Sequence, residues 1–237
     1  MALVIPYSSE IFNALPSLKE ASTAFEKCNG DAAVLSLLEL IEQHGVSNKF
    51  GVVLLHRHFG LQKNEALVDV NGTSTPWKID ESSDTTCFDK YGGQILPHSW
   101  AVRDGQLTPY EFTFYNAQNK RGNRPGLAVY AEDNQFVEEF IRLVESQGLS
   151  GVFALTRASK SPNKLLEVTE GGANVTFEIS DDKESSTGGR LIPAAWGYHS
   201  RSTSGKQAGP HITRGCFQWC TGPYDMHVMH HVSDVSF

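Results

Sequence analysis

Lys49–Phe59 reads KFGVVLLHRHF. After Gly51 it holds β-branched, aromatic and leucine residues with no breaker, so it predicts a strand. Side chains alternate across a strand. Phe50, Val52, Leu54, His56 and His58 are then expected on one face, and Val53, Leu55, Arg57 and Phe59 on the other. The first face is read as apolar and inward, ending in two imidazoles about 6 to 7 Å apart along the backbone.

Similar stretches recur outward from this one: EALVDV ending at the turn pair Asn71-Gly72, then QILPHSWAV, TPYEFTFYN, GVFALTR, KLLEVT, NVTFEIS, RLIPAAWGYH and HITRGCFQWC. Two segments have helical spacing instead. Val34, Leu37, Leu38 and Ile41 form a stripe over Asp31–His44, with Asp31 read as the cap and Gly45 as the stop. Phe136, Val137, Phe140, Ile141 and Val144 form another over Asp133–Gln147, ended by Gly148. A shorter helix is expected within Ser8–Phe25, broken or kinked at Pro16. Strands and helices do not alternate, which argues against a doubly wound parallel sheet. The expectation is an α+β fold over residues 1–237 as a single domain. Its sheet is large, mainly antiparallel and curved, or barrel-like, and packs with two or three helices. The polar, Ser- and Gly-rich stretches Ser180–Arg190 and Ser200–Gly209 read as long loops between strands.

The net charge of −7 argues against a nucleic-acid partner, which requires a basic surface. Lys120, Arg121 and Arg124 are read as a solvated loop. The N-terminal residues lack the cationic start of a secretory signal, and AAVLSLLELI falls well short of the roughly 20 residues of a membrane span. The expectation is a cytoplasmic protein with no membrane partner, whose Cys28, Cys87, Cys216 and Cys220 are free thiols.

The chemistry centres on His56-Arg57-His58. Two imidazoles leaving one face can converge on one ion at metal–nitrogen distances near 2 Å. The divalent metal is zinc, iron or copper. Further ligands are sought at His98, His227 and His231, with His199, His211, His230, Glu65 and Glu111 as lesser candidates. GVVLLHRHFGLQKNE, with Gly51, His56, His58 and Glu65, resembles the first motif of the cupins, though the gap before Glu65 is longer. LPHSWAVRDG departs from the second cupin motif, so only the idea of a strand-borne metal pair is taken from that resemblance. LLHRHFGLQKNEALVDVNG also resembles a segment of uncharacterised fungal proteins. That resemblance implies a setting in specialised metabolism and assigns no residue.

The C-terminal run CFQWCTGPYDMHVMHH, Cys216–His231, adds two cysteines and three histidines. On an extended chain Cys216 and Cys220 share a face about 13 Å apart, too far for one ion or a disulfide. They are read as small buried residues. His227 and His231 share a face on either a helix or a strand. No G-x-S-x-G elbow, phosphate loop or H-E-x-x-H helix is present. Three readings follow. The first is a metal-dependent enzyme acting on a small-molecule substrate. The second is a metal-free cyclase, isomerase or lyase using histidine acid–base catalysis in an aromatic pocket. The third is a non-catalytic ligand- or protein-binding domain.

Overall fold

The computed structural model describes residues 7–79, 93–115, 133–159, 161, 163–179, 191–201 and 211–221, with backbone alone for 199–201 and 211–215. Cys87, the cationic stretch at 120–124, both Ser- and Gly-rich loops for nearly all their length, and His227, His230 and His231 lie outside the described residues.

The chain opens with three helices, α1 (Ser9–Asn13), α2 (Leu18–Lys27) and α3 (Gly30–Gln43). Pro16 separates the first two. Ser17 and Glu20 close a capping box on α2, each side chain bonding the other's backbone N–H. α3 starts one residue before the expected cap. Its N-cap is Asn29, held in the left-handed region, and no side-chain cap forms. Gly45 stops α3 as expected, with φ 66° and the Val46 N–H bonded back to the Ile41 carbonyl. Gly148 and Leu149 repeat this motif after α4 (Asn134–Ser146).

Among the described residues ten strands follow the first helices: β1 (Phe50–Leu54), β2 (Glu65–Val70), β3 (Thr73–Lys78), β4 (Gln94–Arg103), β5 (Gln106–Tyr115), β6 (Phe153–Arg157), β7 (Lys164–Glu170), β8 (Ala173–Ile179), β9 (Leu191–Arg201) and β10 (His211–Thr221). They close into a barrel in the order β1-β6-β4-β5-β2-β3-β8-β7-β10-β9, sealed by β9 against β1. The fold is the α+β, barrel-like arrangement expected. The barrel is mixed: β2 runs parallel to β5, and β7 parallel to β10. Closure leaves no free edge. Asn71-Gly72, both at positive φ, make the tight β2–β3 turn.

The faces of β1 are the reverse of those expected. Phe50, Val52 and Leu54 point out of the barrel and join the core beneath α3 and α4, with Val34, Leu37, Ile41, Phe136 and Phe140. Val53 points into the barrel. The helices are the larger apolar partner, so the more apolar face of the strand turns to them. Trp100 and Trp196 are also buried in this outer layer, with Phe25 stacked on Trp196 at 5.4 Å. No tryptophan lines the interior cavity, so its described aromatic lining is Phe112 and Phe217. A second apolar cluster, with Phe12 and Leu15 against Leu55, Leu67, Ala101, Tyr110 and Ala154, fills the barrel beside α1.

Two places break the alternation of side chains. Between β4 and β5 the register steps at Pro97/Ser99 and again at Ser99/Trp100, leaving His98 and Tyr110 as extra residues. Between β9 and β10 it steps at Cys216/Gln218 and Gln218/Trp219, leaving Phe217 and Ala194. Such paired bulges let consecutive residues face the same side. His98 with Ser99, and Phe217 with Gln218, all reach the interior cavity.

Candidate metal centre

β1 ends at Leu54, so the two histidines follow the strand instead of lying on it. Leu55 bonds Val152, and Arg57 pairs with Ser17 and donates its N–H to the Pro16 carbonyl. The chain thereby bends across the barrel mouth between the α1–α2 connection and β6. His56 is buried, and its Nδ1–H donates to the Leu54 carbonyl at 2.8 Å. That bond leaves Nε2 with a free lone pair, the tautomer a metal ligand needs.

His58 arrives from the other side of Arg57. Its Nε2 lies 3.0 Å from His56 Nε2 and 2.8 Å from Glu167 Oε1. Cys220 Sγ lies 3.5 Å from His56 Nε2 and 3.8 Å from Glu167 Oε1. The four ligand atoms all lie within 4.8 Å of one another. A tetrahedral ion with nitrogen and oxygen near 2.0–2.1 Å and sulfur near 2.3 Å holds its donors roughly 3.3 to 3.6 Å apart. The observed separations scatter around that range, so the four residues form a group that can hold a metal ion.

The proton count supports the same reading. His56 Nε2 and the Glu167 carboxylate are acceptors, and only the His58 Nε2–H and the Cys220 S–H stand between them. A divalent ion would take the place of the Cys220 proton, and His58 would bind through Nε2 with its proton on Nδ1, since thiolate and neutral imidazole are the ligating forms. Burial first, and then His58, lower His56 to about 4, which keeps it neutral. Burial pushes Glu167 up, but the His58 bond and the two imidazoles outweigh it and hold Glu167 below its usual value. Burial and the Glu167 and Glu111 carboxyls push the Cys220 thiol well up.

Glu167 and Cys220 are brought together by the parallel pairing of β7 and β10, in which they are register partners. Sequence reasoning singled out neither as a ligand. Cys216 and Cys220 do not share a face. The bulge at Phe217 turns Cys216 to the outer layer and Cys220 inward.

The centre opens onto a cavity of about 210 Å³ inside the barrel. Asp69, His98, Ser99, Glu111, Asn174 and Gln218 are among its polar lining, and Leu67, Phe112, Leu165 and Phe217 among its apolar lining. His98 thus reaches the cavity but lies outside the four-residue group. Burial and the nearby Arg157 charge lower its imidazole to about 4. Glu65 is turned to the loop before β2, where it accepts from the Gln62 N–H. His227 and His231 are outside the described residues, while His199 and His211 lie on the paired backbones of β9 and β10.

No family model, curated protein or solved structure matches the chain. The reading of the centre therefore stands on its geometry.

Proposed function

We propose that this protein is a metal-dependent enzyme that acts on a small organic molecule inside the barrel. The observation that carries this reading is the convergence of His56, His58, Glu167 and Cys220 at the edge of a mixed polar and apolar cavity. Enzyme sites combine such features: a metal, a concave pocket and a few inward polar groups. A bound ion would supply Lewis acidity to a substrate oxygen through a fifth coordination position or in place of one of the four residues, since four protein ligands close a tetrahedral site. The chain's own residues hold the rest. The Leu54 carbonyl fixes the His56 tautomer, and the outer core fixes β1 beneath it.

The donor set suits zinc best among zinc, iron and copper, because thiolate with imidazole and carboxylate in tetrahedral spacing is a zinc arrangement. The test is elemental analysis of protein purified without a histidine tag, alongside His58→Ala and Cys220→Ala. About one metal per wild-type chain, lost in both variants, supports the reading. A metal-free wild type that also fails to take up zinc, iron or copper overturns it.

The same contacts favour one second reading. Glu167 Oε1 and His56 Nε2 both face the single His58 Nε2 without an ion, and a proton on that nitrogen can pass to either one, as acid–base catalysis requires. A metal-free preparation whose activity depends on His56 and His58 would select it.

A further inference from the structure

The paired bulges of β4 and β5 have one chemical result. They turn Ser99 and Glu111 inward as register partners, on the strand pair opposite β7 and β10 in the barrel order. Ser99 is almost fully buried, and its hydroxyl lies 3.0 Å from the Thr156 hydroxyl on β6. It also hydrogen-bonds the Glu111 carboxyl. Glu111 therefore faces the cavity beside Ser99.

We propose that Glu111 is a ligand-binding carboxyl that donates a hydrogen bond to an oxygen of a small uncharged molecule held in this cavity. The inference deepens the enzyme reading by giving its substrate class, but it does not require a bound ion. Burial first, then Glu167 and Asp69, push the Glu111 carboxyl up to about 8 against the Ser99 bond. A carboxyl that keeps its proton near neutrality is a donor. Asp69 on β2 and Glu167 on β7 act on its charge, and the other titratable or charged groups around it are Tyr110, Cys220 and, in the shared cavity, His56, His98 and Arg157. An anion would meet the carboxyls of Glu167 and Asp69, which outnumber the single guanidinium of Arg157 in the described lining. A cation with donors only would leave the Glu111 O–H unmatched and lose its hydration inside the barrel. An uncharged carbonyl or hydroxyl oxygen meets neither objection.

The test uses three small probes of nearly one shape: acetamide, acetate and acetamidinium. Their binding is read by saturation-transfer NMR on the full chain, with zinc and without it. At about pH 6.5, acetamide is expected to give the strongest signal of the three. Between about pH 6.5 and 9 its signal falls roughly tenfold as Glu111 ionises. In Glu111→Gln, whose amide donates at every pH, the signal stays flat. A carbon-13 label on the glutamate carboxyls is expected to show one group titrating in step with the loss. If the glutamine variant does not fold, that labelled wild-type titration decides the matter. Preference for acetate or acetamidinium overturns the proposal. So does a pH-independent acetamide signal, or the same decline in Glu111→Gln. Failure to bind zinc, with the acetamide pattern intact, overturns the metal reading and leaves this one standing.

Discussion

His56 Nε2 and His58 Nε2 lie 3.0 Å apart with a single intervening residue, although neither histidine belongs to a strand. The bend after Leu54, with Arg57 tied to the α1–α2 connection, aims both rings at one point. The ring planes are 80° apart, which lets each present its Nε2 edge to that point.

Zinc should stabilise the fold. At a hundredfold excess over its Kd, zinc adds about 2.7 kcal/mol to a native state that alone binds it. For a chain of this size that is about 5 to 10 °C in Tm. The rise should vanish in His58→Ala. Differential scanning calorimetry with and without zinc checks this, and an unchanged wild-type Tm would count against the centre.

Cys220 should set which metal is held. Cys220→Ser replaces a soft ligand by a poor one and should weaken zinc at least about tenfold, while harder ions lose less. Competition with a chromophoric chelator measures both. Equal losses for zinc and manganese would mean that the thiol does not ligate.

Stability should fall on the alkaline side of neutrality. Glu111 is raised from 4.5 to about 8, so its contribution is present in full below 4.5 and is lost as pH rises through 8. His98 is lowered from 6.5 to about 4, so its contribution is present above 6.5 and is lost as pH falls through 4. Between about pH 6.5 and 8 only the Glu111 slope of these two remains. Wild-type Tm should therefore drop over that interval, and Glu111→Gln should flatten the drop. Thermal melts across the interval decide it.

Gly51 should tolerate no side chain. A Cβ there would sit 2.7 Å from the Trp196 carbonyl oxygen, at the β1–β9 contact that closes the barrel. Gly51→Ala should cost about 1 to 3 kcal/mol, the usual range for overpacking. Urea unfolding checks the figure, and a shift below about 0.5 kcal/mol would mean that the strands part without penalty.

Ser17→Ala should cost about 1 kcal/mol by removing the α2 cap. It should also loosen the connection that anchors Arg57, so amide exchange around residues 55–58 should quicken. Unchanged exchange there would separate the cap from the site.

Sequence alone determined the local features of this protein. The stripe of Val34, Leu37, Leu38 and Ile41, the stops at Gly45 and Gly148, the turn at Asn71-Gly72 and the break at Pro16 all follow from interactions within a few residues. The spacing of His56 and His58 is local too, but their convergence is not: it needs the bend that Arg57 makes against Pro16 and Ser17, about forty residues away. Tertiary structure decided which face of β1 meets the helices, because both faces are apolar and only the position of α3 and α4 chooses between them. It also decided that Glu167 and Cys220 meet the histidines. That meeting depends on a parallel pairing between strands more than fifty residues apart in sequence and on a bulge at Phe217 that reverses the alternation. Register between distant strands is set by the packing of the whole barrel, and no short stretch of sequence carries it.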